Sequence, residues 1–205
     1  MDINGMVGPQ TLSDGVHALP RLLRDGSVGV SEICGRYYEQ AKRGQIFMAR
    51  AIVTAPVIFS TAAGTGGPLL WNGTTDHDAV LLAVGFGTSV VTTVAGALGL
   101  TGASGQSSAP GSTTTIDSVA CTKIGSGGPA MSTYRVGTPT NAGTFFMPFS
   151  QLHTGALTVD TTGMQWLDLG GMFVVPPGSW ASPAGSATLS TLVAQIGLIW
   201  AEVPV

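Results

Sequence analysis

Charge is what this chain most lacks. Across 205 residues only 9% are Asp, Glu, Lys or Arg, against about 25% in ordinary soluble domains. The shortage is uneven. Beyond Arg50 the charged residues are only Asp76, Asp78, Asp117, Lys123, Arg135, Asp160, Asp168 and Glu202. A surface without Lys and Glu is either covered by neighbouring subunits or coated with small and hydroxyl-bearing residues. Both options favour an assembly component over an enzyme. Cysteine is scarce too: Cys34 and Cys121 supply neither a spaced metal motif nor a disulfide framework, and both are read as buried free thiols. Aromatics make up 7%. The longest clean apolar stretch, Ala79 to Gly87, falls well short of the ~20 residues a membrane helix needs. No basic and apolar leader stands at Met1-Asp2-Ile3-Asn4. The expectation is a protein made in the cytoplasm, with no membrane contact, and soluble there until it assembles.

What is plentiful is Gly, at 30 residues, with 12 Pro and 44% hydrophobic residues. That balance suits many short strands joined by turns, and suits a long helical bundle poorly. A net charge of only -3 beside frequent apolar residues argues against disorder.

The chain divides near residue 50. Most of its basic residues, Arg21, Arg24, Arg36, Lys42, Arg43 and Arg50, lie before that point, as does its one convincing helix. Ser31 is placed as N-cap, and Glu32 suits the positive end of the helix dipole. Lys42 and Arg43 suit the negative end, and Gly44 falls where a left-handed C-cap belongs. Ile33, Tyr37 and Ala41 form a stripe, with Cys34 and Tyr38 beside it. The expected organisation is an N-terminal arm over 1–45 with one helix, and a single β domain over 46–205.

From Ile46 the period becomes two. Leu82, Val84 and Phe86 form the larger face of one strand; Leu81, Ala83 and Gly85 form the smaller. Leu98 and Leu100 continue the pattern, then Phe145, Met147 and Phe149, where Pro148 argues for an edge or a bulge. Leu192, Ala194, Ile196, Leu198 and Trp200 close the series. Strands at regular spacing with Gly/Pro punctuation predict an all-β fold, an antiparallel jelly-roll β-sandwich. Several strands are apolar on both faces, the second face being small. In a free monomer that face would carry charge, so a homo-oligomer is expected, a trimer foremost.

Chemical motifs are few. Asp76-His77-Asp78 is the densest run of metal-ligand types, but neighbours in a strand point to opposite faces, and it reads as a solvated turn after Asn72-Gly73. Asn72-Gly73-Thr74 fits a glycosylation sequon and, before that, a turn. His17 and His153 have no partners at ligand spacing. Walker A, nucleophile-elbow and zincin patterns are absent. No cofactor, metal or catalytic residue is assigned. The basic residues near the arm are interleaved with Asp25, Glu32 and Glu39, so a nucleic-acid surface is disfavoured. A protein-binding surface made by Arg21, Arg24, Arg36, Tyr37, Tyr38, Lys42 and Arg43 explains them better.

The stretch Gly35-Arg36-Tyr37-Tyr38-Glu39-Gln40-Ala41-Lys42-Arg43-Gly44-Gln45-Ile46-Phe47 resembles a helix-to-strand junction in structural proteins of tailed bacteriophages. Val174 to Trp180, then Gln195 to Pro204, resemble the last strands of jelly-roll virion proteins. The resemblance implies a capsid-associated protein on the virion surface, of the decoration (cement) or head-fibre type, often trimeric, with the major capsid protein as partner. It carries no site residues with it. The alternative is a receptor- or glycan-binding fibre tip, for which Trp71, Trp166 and Trp180 would be the platform.

Overall fold

The computed structural model describes residues 36–54, 67–90, 96–105, 110–114, 119–125, 127–139, 141–152, 165–185 and 193–205. Two compact units are present, Met1–Tyr38 and Glu39–Val205. In the first, the described residues place the Arg36 guanidinium over the Tyr37 ring, 5.3 Å from its centroid. Ser31, Ile33 and Cys34 of the expected helix, and the arm residues Arg21 and Arg24, lie outside the described residues.

A short helix, α1 (Tyr38–Lys42), leads into the second unit. It ends as its sequence foretells. Gly44 has φ +74°, its N–H donates to Ala41 O at 3.0 Å, and Gln45 N–H donates to Gln40 O at 2.9 Å. These two bonds are a Schellman cap, which calls for glycine because a Cβ is disfavoured in the left-handed region. Gly44→Ala is expected to cost about 1 kcal/mol, read as a fall in the urea midpoint with an unchanged slope.

Among the described residues eleven strands follow: β1 (Ile46–Thr54), β2 (Gly67–Asn72), β3 (His77–Val90), β4 (Gly96–Ala103), β5 (Gly111–Thr114), β6 (Ala120–Cys121), β7 (Thr133–Thr138), β8 (Thr144–Leu152), β9 (Gln165–Val175), β10 (Ser179–Gly185) and β11 (Val193–Pro204). They form a five-stranded sheet ordered β6-β1-β11-β3-β9 and a six-stranded sheet ordered β5-β7-β2-β10-β4-β8. Every pairing is antiparallel. The fold is an all-β sandwich. Its wiring is that of a rolled ribbon: β1 pairs with β11, β2 with β10, β3 with β9 and β4 with β8. Successive members of the ribbon alternate between the sheets. The segment between β4 and β8 adds β6 beside β1, and β7 with β5 beside β2.

The interior is built from residues two apart, as period-two alternation requires. Ala194, Ile196, Leu198 and Trp200 of β11 are each fully buried. Phe47, Ala49 and Ala51 join them from β1, and Leu98 and Leu100 from β4. Trp200 packs between the rings of Phe47 and Tyr134, with centroids 6.1 and 6.3 Å away. The Tyr134 hydroxyl donates to Ile196 O at 3.3 Å, and burial pushes its phenol well above the usual range.

One alternation expected from sequence is corrected. Leu82 does not share a face with Val84. Trp200 opposes Leu81 while Ile199 opposes Ala83, so Leu82 is the extra residue of a β-bulge, and the core takes both Leu81 and Val84. A bulge inserts one residue and flips the phase of everything beyond it. The expectation for Pro148 holds on both counts: β8 is an edge strand, and its register shifts between Ser150 and Pro148.

Candidate functional site

Two polar side chains tie the sheets together at one end of the sandwich. Asn72, at the end of β2, is fully buried. Its Nδ2 donates to His77 O at 2.7 Å and to Val175 O at 2.8 Å, both on the opposite sheet. Its Oδ1 accepts from the N–H and hydroxyl of Thr74. The Asn72-Gly73-Thr74 sequon is thereby used up by the turn, because the amide nitrogen a glycan would need is inside the protein. Glu202, on β11, accepts from Met131 N at 2.9 Å, Ser132 N at 2.8 Å and Trp200 Nε1 at 3.3 Å. Its carboxylate is 5% exposed and held by N–H dipoles. Sequence reasoning missed it. A lone Glu in an apolar final strand was the available signal.

At this same end the edge between β8 and β9 is open. A cavity of about 550 Å³ enters there, between the sheets. Phe146, Met172 and Val174 stand exposed at its rim, and the Phe146 and Phe173 rings meet with centroids 6.0 Å apart. Leu81 and Leu100 lie at its inner wall. Gly102 keeps the wall low: a Cβ there would fall 2.6 Å from Trp180 O and 3.2 Å from the Phe146 ring. The backbone that opens the rim is a kink in β9, where Gly170 and Gly171 have φ +60° and +80° and Gly170 N–H donates to Asp168 Oδ1 at 2.8 Å.

The outer face of the five-stranded sheet is the second feature. The pairings align Arg50, Gly197, Gly85 and Trp166 in one row across β1, β11, β3 and β9. The next row is Met48, Ile199, Ala83 and Asp168. Glycines therefore occupy the centre of the first row, Ile199 and Ala83 the centre of the second, and Arg50, Trp166, Met48 and Asp168 the margins. Met48, Ile52 and Trp166 are 37%, 68% and 44% exposed, and Arg50 and Asp168 are exposed beside them.

Of the residues expected to bind a partner, Tyr38, Lys42 and Arg43 lie on or just after α1, and all three are exposed. Arg43 also lines a smaller recess with Gln40, Gln45, Val203 and Pro204. Of the three tryptophans weighed as a platform, only Trp166 is exposed. Trp180 is buried, and Trp71 is half-buried under the Arg135 guanidinium, 5.8 Å from the ring centroid. The Asp76-His77 pair is a local turn contact, Nδ1 to Oδ1 at 2.8 Å, and no cluster of three metal-ligand side chains occurs among the described residues. Cys121 is free and half-buried; Cys34, His17 and His153 are outside the described residues. No helix among the described residues is long and apolar enough to cross a membrane.

No family model, no curated protein and no solved structure matches this chain.

Proposed function

We propose that this chain is a non-enzymatic structural protein of a virus particle, of the capsid-decorating kind, that acts through many weak contacts made by a homo-oligomer. The observation that carries this reading is the outer face of the five-stranded sheet, where Met48, Ile52 and Trp166 stand exposed beside Arg50 and Asp168. The sandwich, with its strand pairs alternating between the sheets, supports it at the level of fold analogy, since jelly-roll capsid and lectin domains are two-sheet folds of this kind. Multivalent attachment to a repeating lattice of major capsid protein then turns modest single contacts into stable coating.

The face is complementary to itself. A two-fold axis running along the strands, between β11 and β3, exchanges the β1 and β9 margins. Arg50 of one copy then stands over Trp166 of the other, within reach of Asp168 two residues along the strand. The glycines between them let the sheets approach closely, and an Arg over an indole is a favourable contact. Pairing through this face is two-fold. A trimer, favoured by the family resemblance, would use a different surface.

Light scattering at micromolar concentration is expected to show a homo-oligomer. Arg50→Glu and Asp168→Arg should each weaken association by about tenfold, roughly 1.4 kcal/mol, while the double exchange restores it. A monomeric wild-type protein would refute self-association; a double variant no better than the singles would refute this pairing. Deleting residues 1–38 should leave a folded, self-associating sandwich, and density for the protein on the outer surface of purified particles would test the decorating role directly. A glycan-binding fibre tip is the second reading, on the strength of exposed Trp166. It is favoured instead if Trp166→Ala abolishes retention on glycans while leaving the oligomer intact.

A further inference from the structure

We infer that the cavity between β8 and β9 is a binding site for a small neutral molecule, largely apolar and bearing one hydroxyl or carbonyl group. Three observations converge. The volume of about 550 Å³ lies in the range that holds drug-sized ligands, roughly 300–1,000 Å³. Every residue lining it is uncharged, so an ionised ligand would lose its hydration and meet no counter-charge, which is costly. The third observation is Ser179. It is 4% exposed and lines the cavity, and its hydroxyl has no hydrogen-bond partner.

The direction of that hydroxyl follows from the strand. Ala181 belongs to the interior cluster, and Ser179, two residues earlier on β10, shares its face. Trp180 points to the other side of the sheet and meets the cavity at its backbone. Two neighbouring polar groups are already committed: Ser179 N–H donates to Pro176 O, and Asn72, opposite Ser179 in the register, spends its amide on His77, Val175 and Thr74. A buried hydroxyl left unpaired costs about 1–3 kcal/mol, and a ligand hydroxyl or carbonyl entering the cavity would supply its missing partner. The Phe146 and Phe173 rings at the mouth would cover the apolar body of that ligand.

The test uses the full chain, the neutral dye N-phenyl-1-naphthylamine, and displacement by 1-decanol or by decanoate at pH 8. The dye should bind saturably with one site per chain. Decanol should displace it at least tenfold more effectively than decanoate, which has the same chain but a charged head. Phe146→Ala, at an exposed position that leaves the interior intact, should weaken dye binding several-fold. Ser179→Ala should leave dye binding unchanged and reduce decanol's effect by about tenfold; circular dichroism shows that each variant is folded. The inference is overturned by absence of saturable dye binding, by decanoate competing as well as decanol, or by decanol displacement that Ser179→Ala does not alter.

Discussion

Replacing Glu202 with alanine is expected to lower unfolding free energy by about 4 kcal/mol, a large share of the roughly 5–15 kcal/mol a domain possesses. Three donors lose their acceptor at once: the N–H groups of Met131 and Ser132, and the Trp200 indole. The first two open the approach to β7 in the six-stranded sheet, while Glu202 and Trp200 belong to β11 in the other. The carboxylate therefore joins the layers through the backbone N–H groups of Met131 and Ser132. Glu202→Gln should cost about half as much, because the amide keeps one acceptor but turns an N–H toward a donor. Urea denaturation of the three proteins decides this. A loss below about 1 kcal/mol for the alanine variant would show that water takes over the carboxylate's role.

Asn72→Ala is expected to cost about 3 kcal/mol, and Asn72→Asp more than that. The alanine variant leaves the Val175 carbonyl without its donor and the His77 carbonyl with the Thr74 hydroxyl alone. The aspartate variant keeps an acceptor for Thr74 but aims a carboxylate oxygen at those same two carbonyls, in a place that is fully buried. The order Asp worse than Ala is the discriminating result, since an exposed turn asparagine would tolerate Asp best of all. Thermal unfolding at neutral pH reads the order directly. Equal stability of the Asp variant and wild type would contradict the bond assignment.

Much of this architecture was legible in residue order. The change of period at Ile46, the Gly44 cap and the buried stripe from Ala194 to Trp200 are local matters. A strand that buries one face alternates, and a helix that stops sharply calls for a residue at positive φ. Pro148 announced an edge because proline cannot donate to a ladder. The low charge beyond Arg50 was equally plain in the sequence, but which residues share the outer face with Met48, Ile52 and Trp166 was not, since that depends on strand register.

Other features depend on residues far apart in the chain, and no local pattern encodes them. The bulge at Leu82 exists because β3 pairs with β11 and β9 in one particular register; sequence alternation alone put Leu82 with Val84. Glu202 gained its role only when Met131 and Ser132 arrived, 71 and 70 residues away, and Asn72 gained its own when Val175 did, across 103 residues. The cavity has the same origin. Its walls come from β3, β4, β8, β9 and β10, brought together because the rolled ribbon leaves β8 and β9 as the unpaired margins of two different sheets. Local sequence determined which segments extend and which face of each is apolar, since those follow from side-chain period. Tertiary pairing alone decided which polar groups became buried and which edge stayed open, because burial and hydrogen-bond satisfaction are properties of the assembled layers.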